Sequence, residues 1–136
     1  MATRSAEAIL DLAAISPGID HYFAGFNAED HRAVANLFEP DGVLLAPFED
    51  PIVGPEAIYT YLHAEAVNMQ ATPLEVEAAP AAADGTRQVV VKGQVKTLLF
   101  TVSVRWTFVL TAADTLQSTE IKLLASLQEL MQFDRS

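Results

Sequence analysis

The chain has no cysteine, few cations and no long apolar run, and each shortage removes a class of function. Without cysteine, no disulfide framework contributes to the fold. Eight Lys and Arg stand against 18 Asp and Glu, a formal charge of -10, which leaves no electrostatic footprint for nucleic acid or an anionic membrane surface. The N-terminal segment MATRSAEAILDLAA has too short an apolar run, interrupted by acids, for a secretory signal, and no run approaches the roughly 20 residues of a membrane span. A cytoplasmic protein is the expectation. His21, His31 and His63 lack metal-ligand spacing and fall outside the apolar stripes of their helices, so all three read as surface residues. What is present in quantity is hydrophobic residues, 51% of 136, enough for one domain with a real core and room for a cavity.

Helical periodicity fills the first half and alternation the second, the pattern of an α+β domain with segregated helices and strands. Residues 4–15 read as an amphipathic helix through Ile9, Leu12 and Ala13, the core of an N-terminal helical arm over 1–16. Ser16 and Pro17 then supply an N-cap and a first-turn proline for a second helix. Its stripe of Ile19, Tyr22, Phe23 and Phe26, spaced three and four apart, turns one side inward. Asn27 and Asp30 mark a turn before a helix carrying Val34, Leu37 and Phe38, stopped by Pro40, Asp41 and Gly42. A short strand, Val43 to Ala46, follows. Gly54 and Pro55 open a long helix whose stripe reads Ile58, Leu62, Glu65, Ala66 and Met69, with Glu65 the odd member at a cavity mouth.

The stretch EVEAAPAAADGTR reads as a strand end and a hairpin loop around Asp84 and Gly85. Three strands follow. The first turns Val89, Val91, Val95 and Thr97 inward against Gln88, Lys92, Gln94 and Lys96. The next turns Val102, Val104, Trp106, Phe108 and Leu110 inward, and the last Ile121 and Leu123, with Glu120 and Lys122 outside. Arg105 and Lys122 read as outward sheet charges or a dimer face. Ser126 caps a C-terminal helical tail over 126–136 carrying Leu127, Leu130, Met131 and Phe133.

Two inward residues carry the functional reading. Tyr22 and Trp106 each offer one hydrogen-bond donor on a large apolar body. Such a pair in an oily cavity suits a greasy ligand with one oxygen at its tip.

The order of elements resembles the nuclear transport factor 2-like fold, a cone whose curved antiparallel sheet wraps around N-terminal helices. The run YFAGFNAEDHRAVANLFEPDGVLLAPFEDPIVGPEAIYTYL resembles that fold's general signature. APFEDPIVG, KGQVKT and IKLLASLQEL are similar to the C-terminal domain of the orange carotenoid protein family. This resemblance implies a free-standing homologue of that domain that binds a keto-carotenoid of the canthaxanthin or echinenone type. Tyr22 and Trp106 match the two residues that hydrogen-bond the ring carbonyl, while Met69, Val95, Thr97, Phe100, Phe108, Ile121 and Leu123 match the tunnel lining. Glu65 matches a glutamate facing the second domain of the full-length photoprotective protein. Leu99 replaces the aromatic that precedes Phe100 in the family, and the following link is shortened to TVSV, so the wall near Phe100 differs.

The implied partners are the pigment itself, a second copy sharing it as a homodimer, helical proteins like the family's carotenoid-binding N-terminal domain, and a membrane touched transiently during uptake. Carotenoid transfer and singlet-oxygen quenching follow as implied roles, with the C-terminal tail as a lid. The rival is an enzyme of the SnoaL or ketosteroid-isomerase type on the same cone. There the isomerase base matches Ala46 and the oxyanion-hole acid matches Val104, and neither moves a proton. Glu65 or Glu56 would have to serve instead. A third alternative, a ligand-free dimeric scaffold, makes Tyr22 and Trp106 plain core residues.

Overall fold

Both ends of the second helix are tied to the sheet by side chains. In a computed structural model of the protein, which describes residues 10–124, α1 is Leu12–Ile15, α2 Pro17–Asn27 and α3 His31–Ala35. β1 is Phe38–Leu45, β2 Ile52–Val53 and α4 Pro55–Glu65, followed by β3 Gln70–Ala78, β4 Arg87–Lys96, β5 Thr101–Leu110 and β6 Leu116–Leu124. Ser16 Oγ accepts the Ile19 amide at 3.1 Å, as a cap should, and itself donates to Asp114 Oδ1 at 2.7 Å. The Gly18 amide donates to Asp114 Oδ2 at 2.7 Å, and Arg87 reaches Oδ1 at 3.3 Å. At the other end, the Asn27 side chain takes the Ala71 amide at 2.7 Å and gives a bond to the Ala71 carbonyl at 2.9 Å. α2 is thus pinned to the β5–β6 turn at its start and to β3 at its end. Its stripe of Ile19, Tyr22, Phe23 and Phe26 is buried as the spacing predicts.

The six strands form one sheet in the order β2-β1-β6-β5-β4-β3. The α+β cone stands, but the sheet is mixed rather than purely antiparallel, because β1 pairs with β6 in parallel. A strand entered early and a strand entered last can run the same way, since the whole intervening chain serves as their crossover. The inward faces follow the alternation: Val91, Trp106 and Ile121 share one cross-strand row, and Val89, Phe108 and Thr119 the next. Val89, Val91, Val104, Trp106, Phe108 and Leu110 are all buried.

Several boundaries move. Within the described residues the first helix is only the turn from Leu12, because the Asp11 carboxylate accepts the Ala14 amide at 3.3 Å and caps a new start there. The remainder of the expected helix over 4–15, like the tail over 126–136, lies outside the described residues. Phe38 opens β1 instead of closing α3, and Pro40, Asp41 and Gly42 sit in a register irregularity of that strand rather than after a helix. A Cβ on Gly42 would meet the carbonyls of Glu39 and Leu116 at 2.9 Å, so only glycine fits that close approach. β3 begins at Gln70, well before the expected strand end. Its alternation is masked by Pro73, tolerated on an edge strand, and by an irregularity between Pro73 and Glu75.

α4 ends at Glu65, so Met69 lies beyond the helix rather than on its stripe, and Glu65 is exposed. His21 and His63 are exposed as read, whereas His31 is buried. It occupies the first position of a five-residue helix and packs edge-on against the His63 ring, centroids 5.9 Å apart. No helix among the described residues is long and apolar enough to cross a membrane.

Asp114 gathers three of the bonds that fix the start of α2 against the sheet. Asp114→Ala is expected to lower stability by about 2 kcal/mol, read from urea unfolding, through the buried cap hydroxyl and the Gly18 amide it leaves without an acceptor.

Candidate functional site

The site is built where α2 crosses the inward face of β5. Tyr22, 1% exposed, lies edge-on to Phe108 with ring centroids 5.1 Å apart and edge-on to Phe23 at 5.2 Å. Phe23 in turn stands edge-on to Trp106 at 4.8 Å. Both helical residues come from one turn of α2, and both strand residues from one face of β5, so the helix stripe and the strand alternation meet in a single aromatic cluster. Trp106 is 2% exposed.

The electrostatics of the phenol follow from this packing. Burial pushes the Tyr22 hydroxyl far above the usual phenol range, the Trp106 indole opposes the rise as a nearby donor, and Tyr61 adds to it. The indole stands close enough to influence the phenol, yet no hydrogen bond of acceptable geometry closes on the hydroxyl. Tyr22 Oη is therefore buried with no partner among the described residues. A buried, unpaired hydroxyl costs on the order of 1–3 kcal/mol, so this atom favours any oxygen that can accept its proton.

The other expected lining residues divide by place. Val95 and Phe108 are buried, and Met69 is half-buried against the core. Ile121 sits opposite Trp106 in register and Leu123 opposite Val104, so both face inward as expected, but Leu123 is 47% exposed. Together they line a cleft of about 400 Å³ between β6 and the Ala46–Glu49 turn.

Thr97 and Phe100 differ from expectation. Thr97 lies in the turn after β4 and spends its hydroxyl there, accepting the Leu99 and Phe100 amides at 3.2 and 3.1 Å and donating to the Phe100 carbonyl at 3.0 Å. That bonding holds Leu98, Leu99 and Phe100 on a tip, 79%, 87% and 58% exposed, so Phe100 stands on an exposed apolar rim.

Two residues that sequence reasoning passed over belong beside the cluster. Tyr61 is half-buried, its phenol raised by burial and then by the charges of Glu49 and Glu65. Thr119 is fully buried, opposite Phe108, with its hydroxyl unpartnered. The alternation that turns Ile121 and Leu123 inward also turns Thr119 inward, two residues earlier.

The Tyr22 environment sets a sign for alkaline stability. The folded state favours the neutral phenol, so its contribution is intact below about pH 10, where an exposed phenol titrates, and is lost as pH rises beyond that. In an alkaline titration followed by near-ultraviolet phenolate absorbance, Tyr22 ionises only as the chain unfolds, and Tyr22→Phe removes that phase.

The chain as a whole is similar to known proteins in sequence and in fold. Residues 18–119 match the Nuclear transport factor 2 (NTF2) domain family. Over 119 residues the chain is 34% identical to the orange carotenoid-binding protein of Synechocystis, a match spanning 85% of this chain and 37% of that protein. The structure of the Fremyella diplosiphon OCP1 superposes with a TM-score of 0.78 at 36% identity, covering 86% of this chain and 38% of the other. That of the Anabaena (Nostoc) orange carotenoid protein binding canthaxanthin gives 0.77 at 35%, covering 86% and 39%. The chain thus spans little more than a third of the length of these relatives. It belongs to the nuclear transport factor 2 domain family and, within it, is a homologue of the C-terminal domain of orange carotenoid proteins.

Proposed function

We propose that the protein is a noncatalytic carrier of a keto-carotenoid of the canthaxanthin or echinenone type. The observation that carries this reading is the unpartnered hydroxyl of Tyr22, buried beside the Trp106 indole at the meeting of α2 and β5. Two donors converging from opposite walls fit one acceptor oxygen conjugated to a long apolar body. The polyene contributes most of the affinity, at roughly 25 cal/mol per Å² of apolar surface removed from water. The carbonyl supplies selectivity, because an unoxidised ring leaves the donors unpaired.

Acid–base chemistry finds little support in the same place. Ala46 and Val104, the positions matching an isomerase base and acid, are apolar and buried, and Glu56 and Glu65 are exposed. Among the described residues the buried polar side chains are Ser16, His31 and Thr119, and no carboxylate is among them.

Val95, Phe108, Met69, Ile121 and Leu123 are the lining we assign to the ring and first part of the chain. A domain with a radius of gyration of roughly 14 Å leaves part of a carotenoid outside. The rim of Leu98, Leu99, Phe100 and Leu123 then receives the protruding part, and a second copy covers it in a homodimer. Pigment enters through a transient membrane contact and is passed to helical carotenoid-binding proteins, with quenching of singlet oxygen as a consequence of the cargo.

Two measurements test the reading. Protein purified from cells making canthaxanthin or echinenone is expected to show a broad, red-shifted visible band. In Tyr22→Phe and Trp106→Phe that band moves toward the blue, and retention falls about five- to tenfold. A colourless wild-type protein would refute the carrier. In sedimentation velocity, Leu99→Ser with Phe100→Ser is expected to shift the loaded protein from dimer toward monomer while the empty protein keeps its fold.

A further inference from the structure

We propose that Thr119 is a third polar contact at the ring end of the carotenoid site, and that it favours a ring bearing a hydroxyl on the carbon next to the ketone. The inference rests on the carrier reading and narrows its ligand. Among the described residues, the buried side-chain atoms without a hydrogen-bond partner are Tyr22 Oη, Thr119 Oγ1 and the two ring nitrogens of His31. His31 packs against His63, between α3 and α4. The other two belong to residues that both adjoin Phe108, Tyr22 through its ring and Thr119 through strand pairing.

Their placement follows from register. Thr119 pairs directly with Phe108 on the inward face, a spacing that brings side-chain Cβ atoms to about 4.5–5.5 Å. Tyr22 lies edge-on to that same Phe108 ring at 5.1 Å. Trp106 is the next inward residue on β5, about 7 Å along the strand, and pairs with Ile121. Tyr22, Trp106 and Thr119 therefore all lie within one or two residue positions of Phe108, a span comparable to a six-membered ring with its substituents.

The chemistry separates their roles. Tyr22 and Trp106 can both donate to a ketone oxygen. A threonine hydroxyl both donates and accepts, so it suits a ligand hydroxyl, which also does both. Packing alone gives no reason for the oxygen: valine has nearly the same shape, and valine or phenylalanine fills the neighbouring inward positions Val89, Val91, Val104 and Phe108. A ring with the ketone alone leaves Thr119 Oγ1 unpaired in a dry interior, whereas an adjacent hydroxyl satisfies it.

The test offers canthaxanthin, which carries only the ketone, and astaxanthin, which adds the neighbouring hydroxyl, together to the purified protein and measures the ratio bound. Wild type is expected to favour astaxanthin about tenfold, Thr119→Val to bind the two about equally, and Thr119→Ser to keep the preference. Thermal unfolding of each variant confirms that the fold is retained. Binding of both pigments at the same ratio in wild type and Thr119→Val would overturn the assignment of Thr119 alone. Binding of neither pigment would overturn the carrier reading and this assignment with it.

Discussion

The contact on which the remaining structure depends is the edge-to-face packing of α2 on β5. Phe23 stands against Trp106 and Tyr22 against Phe108, so one helical turn and three consecutive strand positions bury four aromatic rings at once. A six-stranded mixed sheet has an apolar face too large to leave wet, and α2 is the element that covers its centre. The polar clamps at the two ends of α2 matter for the same reason. Asp114 and Asn27 set the height and tilt of the helix, and the rings meet only when both are set.

The same interface holds polar atoms that a purely structural core would omit. A phenol, an indole and a threonine hydroxyl lie where leucine, phenylalanine and valine would pack without any unsatisfied donor. The unpaired hydroxyls of Tyr22 and Thr119 lower stability at the centre of the main packing contact. This separates Tyr22 and Thr119 from Ser16, equally buried, whose hydroxyl both caps α2 and bonds to Asp114. The fold accounts for Ser16, whereas nothing in the packing satisfies the hydroxyls of Tyr22 and Thr119, which is why the carrier proposal assigns them to a ligand.

The open end of the cone has a different character. Thr97 ties the β4–β5 turn so tightly that three apolar side chains are held outward, and the cleft beside β6 is walled by Ile121 and Leu123. In the proposed carrier, a carotenoid chain leaving the Tyr22–Trp106 pair along the Trp106–Ile121 row would reach this rim next.

Periodicity in the sequence determined most of what lies at the centre. Three- and four-residue spacing turned Tyr22, Phe23 and Phe26 inward together, and two-residue alternation did the same for Trp106, Phe108 and Ile121, because local backbone geometry alone fixes those directions. The Ser16–Pro17 start of α2 was legible for the same local reason. Tertiary structure decided the rest. The parallel pairing of β1 with β6, the burial of His31 under α4, the exposure of Glu65 and Leu123, and the use of the Thr97 hydroxyl inside its own turn depend on which distant segments arrive alongside. A residue's own spacing says which way its side chain points; only the partner that meets it says whether the side chain is covered or whether its polar atom is satisfied.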